Sequence, residues 1–132
     1  MDNNRFDLSL LLLRLVFGGF MLINHGWGKF LRFFEEGPLR FGDPIGLGKE
    51  LSLALAVFAE AGCGFLIAIG LFTRLATIPV LFTMLVAAFV VHFADPFGDK
   101  ESALLFATAY VVILLLGPGR YSVDSWWERR RY

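Results

Sequence analysis

The sequence predicts an all-α membrane protein: a four-helix transmembrane bundle with an interfacial loop after helix one. Three observations predict it. Four apolar runs, LSLLLLRLVFGGFMLINHGWGKF, LSLALAVFAEAGCGFLIAIGLF, LATIPVLFTMLVAAFVVHF and ALLFATAYVVILLLG, fill most of the 132 residues. Apolar residues make up 57% and charged residues 18%, against about half and about a quarter in ordinary soluble domains. None of the runs alternates with period two, which argues against a β-barrel. The length fits one domain.

About 20 residues cross a bilayer at ~1.5 Å per residue. The first span is expected near residues 8–30. A Gly- and Pro-containing loop follows, GKFLRFFEEGPLRFGDPIGLGKE, in which Phe30, Phe33, Phe34 and Phe41 alternate with charges. It reads as an amphipathic segment lying in the interface; the sharper reading is a lid over the helix ends. Span two is expected over 51–72, and the tight link Thr73-Arg74 leads into span three over 75–93. The turn ADPFGDKE precedes span four, 103–117, drawn out to Ser102 because 15 residues reach only ~22 Å.

The 12 basic and 12 acidic residues cancel, so net charge points to no nucleic acid or acidic partner. The single cysteine, Cys63, permits no CxxC pair, intramolecular disulfide or cysteine-based zinc site, and no metal site is assigned. The segment NHGWGKF lacks small residues spaced for signal cleavage, so the first run is read as retained. Four spans put both termini and the 73–74 link on one side with Arg5, Arg74, Arg120, Arg129, Arg130 and Arg131. The other side has Lys29, Arg32, Arg40, Lys49 and Lys100 among seven acids. The Arg129–Arg131 cluster beside Trp126 and Trp127 reads as a cytoplasmic interfacial anchor, which places both termini in the cytoplasm.

Arg14 and Glu60 interrupt long apolar runs. A charge at membrane depth is costly unless paired, hydrated or able to snorkel, so both are candidate functional residues. On a helical projection Arg14, Gly18, Met21, His25 and Arg32 share one face of helix one. Glu60 sits in AEAGCG, a run of small residues suited to close helix packing in lipid. Counting depth along the spans suggests a direct or water-bridged Arg14–Glu60 contact. The competing reading has Arg14 snorkelling to the headgroups and Glu60 protonated. His25 and His92 fall at nearly one depth near the outer interface, with Asn24, Trp27, Lys29 and Asp95 around that level. Such a pocket would suit a quinone head group, whose carbonyls accept from His, Lys or Asn while Trp and Phe wall its ring. Bis-histidine haem ligation by the same two residues is formally open and ranks below the quinone. Tyr110 and Cys63 read as packing residues.

The run LLLRLVFGGFMLINHGWGKF, the run DPIGLGKELSLALAVFAEAGCGFLIAIGLFTRLA and the ending GPGRYSVD resemble the DoxX/DoxD family of small bacterial and archaeal membrane proteins, over about residues 8–124. The matching positions are Arg14, Gly18, His25, Gly26 and Lys29, then Glu60, Gly62, Gly64, Gly70, Leu71, Thr73 and Arg74. The resemblance implies a four-helix membrane protein. The family takes its name from a subunit of a thiosulfate:quinone oxidoreductase, and other members are linked to thiol-redox and oxidative-stress complexes. The expected function is therefore a redox-linked, quinone-binding subunit of the bacterial inner membrane. Glu60 would exchange the proton with Arg14 tuning it; His25, Lys29 and His92 would orient the head group, with Trp27 and Asn24 at its level. No motif carries electrons alone, so a membrane or peripheral redox partner is required, and self-association is compatible. The alternatives are a non-catalytic anchor or assembly partner of an oxidoreductase complex and, lower, a small-solute transporter, for which four short helices leave little room.

Overall fold

The computed structural model describes residues 3–39 and 41–131; Arg40, counted above on the outer side, lies outside them. The described residues form helices and turns with no strand. Among the described residues, three helices are long and apolar enough to cross a membrane: α1 (Asn4–Phe34), α2 (Lys49–Ile69) and α3 (Thr73–Val91). A fourth long helix, α4 (Phe97–Leu116), carries Asp99, Lys100 and Glu101 in its first turns. A short polar helix, α5 (Val123–Arg131), follows. Each expected span is present as helix, but the bounds move. α1 is longer than residues 8–30, and α4 starts within the stretch expected to be a turn. The basic tail is itself helical.

The ends have local causes. α2 stops at Gly70, whose φ of 77° suits a residue without Cβ, and the Gly70 and Leu71 amides donate back to the Leu66 carbonyl at 2.8 and 2.9 Å. α3 begins where Asp124 accepts from the Phe72 and Thr73 amides at 2.8 and 2.9 Å, an N-terminal cap supplied by a distant segment. At the far end of α2, Asp43 accepts from the Leu47 and Gly48 amides and the Ser52 hydroxyl. This fastens the loop after α1 to the first turn of α2.

The chain runs up and down, so the termini and the α2–α3 turn share one end, here the terminal end. There Tyr121 donates to Asn4 Oδ1 at 2.6 Å and the Arg120 amide donates to Asp7 at 3.1 Å. Met21, Cys63, Ile67, Val80, Met84 and Tyr110 belong to one buried cluster drawn from all four long helices. Cys63 is a free buried thiol and Tyr110 donates to the Phe17 carbonyl at 2.9 Å, so both pack as expected.

Small residues let α1 and α2 approach closely. A Cβ at Gly18 would stand 2.7 Å from Ala68 N and Gly64 O, and one at Gly26 would stand 2.6 Å from Ala61 Cα. Neither position has room for a side chain. The AEAGCG run is thus a packing seam, as its composition suggested. Among the described residues, four π-helical stretches interrupt the long helices: Arg14–Gly18, Met21–Gly26, Phe58–Cys63 and Ala87–Val91. π turns are rare and cluster at functional sites. Here they contain Arg14, His25 and Glu60 and end immediately before His92.

Candidate functional site

Glu60 is 2% exposed, and its partner is Lys29: Lys29 Nζ lies 2.6 Å from Oε1 and 2.5 Å from Oε2. α1 brings Lys29 there because the glycine seam fixes its register against α2, with Gly26 on Ala61 one turn earlier. The ammonium thus engages both oxygens of a buried carboxylate. A charge pair buried this way is tolerable because each charge neutralises the other.

The expected Arg14–Glu60 contact is not formed. Arg14 is fully buried near the terminal end, where Nη1 donates to the Ala68 carbonyl at 3.5 Å and Nη2 donates to the Tyr121 carbonyl. Its Nε has no partner among the described residues, and Asp124 supplies an opposite charge. Nor does Arg14 snorkel, since the segment 117–124 folds over it. The depth count failed because the N-terminal turns of α1 run past the end of α2 and pack on that returning segment, with Gly119 against Leu10. The two charges belong to opposite ends, so Arg14 is in no position to tune Glu60 directly.

At the loop end a cavity of about 620 Å³ opens beside the ion pair. His25, Lys29, Glu60 and His92 all line it, so the two histidines expected at one depth do face one space. The His25 ring stands edge-on to Phe106 at 5.6 Å. His92, at the rim, shares a 2.8 Å contact between Nδ1 and Asp95 Oδ2. Asp99 and Ser102 of α4 add polar groups, and Thr83 also lines the space but donates its hydroxyl to the Pro79 carbonyl at 2.9 Å. The other walls are apolar: Leu55, Ala56 and Phe58 from α2, Phe82, Met84 and Val86 from α3. Phe41, Pro44, Ile45 and Leu47 of the loop close over it, the arrangement of a lid.

Two expected residues stand elsewhere. Asn24 and Trp27 are exposed on the outer face of α1, where Trp27 packs on Phe30 at 5.7 Å. The π-helical stretch Met21–Gly26 rotates the succeeding residues, so Gly26 rather than His25 is buried in the seam. Arg32 is likewise displaced from the Arg14 face and lies over the Phe41 ring, 5.7 Å from its centroid.

The fold and site define a class: a polytopic helical membrane protein holding a buried carboxylate, paired with a lysine, against a largely apolar cavity. The sequence model of the DoxX family matches residues 9–93, and the chain belongs to that family. It is also similar to inner membrane protein YqjF of Escherichia coli (strain K12), 26% identical over 124 residues, covering 89% of this chain and 91% of that protein. No solved structure matches it.

Proposed function

We propose that this chain is a four-span, redox-linked subunit of the bacterial inner membrane that holds a quinone head group in its loop-end cavity. The observation that carries the reading is the meeting of Lys29, Glu60, His25 and His92 in a space walled mostly by hydrocarbon side chains. The donor set fits such a ligand. A quinone ring is flat, neutral and apolar, with carbonyl oxygens that accept hydrogen bonds, and the cavity offers Lys29 and imidazole N–H groups beside aromatic and aliphatic walls. When bound, a quinone would supply electron and proton transfer with a redox partner. Lys29 and His25 would orient the ring, Glu60 would hold Lys29 in place and hold or release a proton at its carboxylate, and His92 with Asp95 would face the rim.

The remaining assignments follow from the same physics. α4 has 20 residues and so spans about 30 Å, with Asp99–Glu101 at the interface; it is the fourth crossing. The excess of arginine at the terminal end sets both termini in the cytoplasm, and the inner-membrane assignment draws on the name of the similar protein. Native mass spectrometry of gently purified protein tests the reading. Quinone is expected on the wild type and at least about tenfold less of it on His25→Ala or Lys29→Met, the loss of about 1.4 kcal/mol of head-group binding. Equal quinone on all three would overturn the site.

A second reading has one observation in its favour. α5 exposes Trp126 and Trp127, with Arg130 stacked 4.7 Å over Trp126, a surface suited to anchoring a complex. Recovery of a stoichiometric enzyme subunit whose activity is untouched by Glu60→Gln would favour an anchoring role.

A further inference from the structure

We infer that the cavity is filled sideways from the hydrocarbon, through a slot between the loop-end halves of α2 and α3 whose lips are Phe58 and Phe82. The inference rests on the reading of the cavity as a ligand site and adds its route and its selectivity. Three sides of the cavity are fastened. Between α1 and α4, Phe17 meets Phe106 edge-on at 5.3 Å, His25 meets the same ring at 5.6 Å, and Tyr110 is bonded to the Phe17 carbonyl. Over the top, the loop bearing Phe41 and Leu47 is tied to α2 by the three hydrogen bonds to Asp43. Below, α2 and α3 pack together through residues 58–69 and 73–86.

The fourth side differs. Above residue 58, α2 packs against Trp27–Leu31 of α1, while Ala87–Val91 of α3 packs against α4. The helices therefore part as two pairs, with the cavity between them. Phe58 and Phe82 line that cavity, yet each is 57% exposed. Each also lies nine residues from the loop end of its helix, about 14 Å along the axis, so the two rings share one depth well inside the hydrocarbon. Exposed rings at that depth face acyl chains.

Charge limits what can pass. A water-borne anion coming by the slot would have to cross hydrocarbon, and at Lys29 it would find the ammonium already paired with Glu60. The ligand class is an uncharged amphiphile dissolved in the bilayer, with a hydrogen-bond-accepting head at Lys29 and His25 and a tail leaving through the slot. Phe58 and Phe82 govern the rate of passage, whereas Lys29 governs how tightly the head is held.

The test uses the full chain in lipid nanodiscs with radiolabelled decylubiquinone as probe and sodium thiosulfate as water-borne competitor. Phe58→Trp with Phe82→Trp is expected to slow uptake by about tenfold, a barrier of about 1.4 kcal/mol. Lys29→Met is expected to weaken binding at an unchanged uptake rate, since changes inside one site act mainly on release. A decylubiquinone carrying a diazirine at its tail end, photolysed on the wild type, provides an independent readout that needs no variant. Adducts are expected within 55–58 and 79–86. Adducts on 41–47, unchanged uptake in the double variant, or displacement by thiosulfate would each overturn the lateral route while leaving the ligand site standing. A wild type that binds no probe would overturn both.

Discussion

Arg14 and Glu60 are the two charges that interrupt the apolar runs, and the structure treats them in opposite ways. Arg14 is enclosed on every side: backbone carbonyls of Ala68 and Tyr121 accept from it, and the segment 117–124 covers it. Gly70 must be glycine there, because a Cβ would collide with the Arg14 guanidinium and with Ser122. Glu60 is equally buried, but its partner Lys29 borders open space. One charge locks three chain segments together at the terminal end. The other is held ready beside a cavity. Burial of a charge at membrane depth therefore marks importance without saying which kind; the space next to it makes the distinction.

The largest expected effect tests the seam that sets both environments. Gly26→Val would drive a side chain into the backbone of Ala61 and separate α1 from α2, costing at least about 3 kcal/mol; thermal unfolding in detergent measures it. Next comes the contrast itself. Glu60→Gln leaves the Lys29 ammonium without its counter-charge and is expected to cost on the order of 3 kcal/mol. Combined with Lys29→Met, the double variant should recover at least about 1 kcal/mol relative to the sum. Combined with Arg14→Leu, the effects should add within about 0.5 kcal/mol, because the two residues share no partner. Strong coupling of Arg14 with Glu60 would erase the distinction between the two ends.

The smallest effect concerns the lid. The amide of Gly48, then the Ser52 hydroxyl and the Leu47 and Gly46 amides, hold the Asp43 carboxyl below its ordinary value of 3.8. A depressed carboxyl stabilises the fold fully above its unfolded pKa, and that contribution fades as pH falls through the folded one. Hydrogen exchange at the Leu47 and Gly48 amides should show protection at about pH 6 that shrinks by about pH 3, and none at either pH in Asp43→Ala. A loop equally protected in that variant would mean the lid is held by packing instead.

Much of this was legible in the residues. Length and hydropathy sufficed for α1, α2 and α3, because an uninterrupted apolar run has few other ways to satisfy its backbone in lipid. α4 began earlier than expected because a span count discards charges, whereas a helix accepts acids such as Asp99 in its first turn. α5 has no apolar run to announce it. Its signal was the pattern Ser122-Val123-Asp124-Ser125, in which Ser122 accepts from the Ser125 amide at 3.1 Å, the habit of an N-cap.

In the site, counting depth was enough to bring His25 and His92 to one cavity, since depth needs only the rise per residue. Pairing Glu60 required the register between two helices, which depth alone does not give. The clue was present in the glycines: Gly18 and Gly26 had to meet the small residues of α2, and that alignment carries Lys29, not Arg14, to the carboxylate.

The π-helical turn at Met21–Gly26 has a consequence for inheritance. A π turn takes up one residue more than an α turn, so a one-residue loss within that stretch can tighten it to an α turn while Lys29 stays in the seam beside Glu60. A loss from the α-helical residues just ahead of Lys29 has no such slack: it would swing the ammonium about 100° around the axis and leave Glu60 stranded.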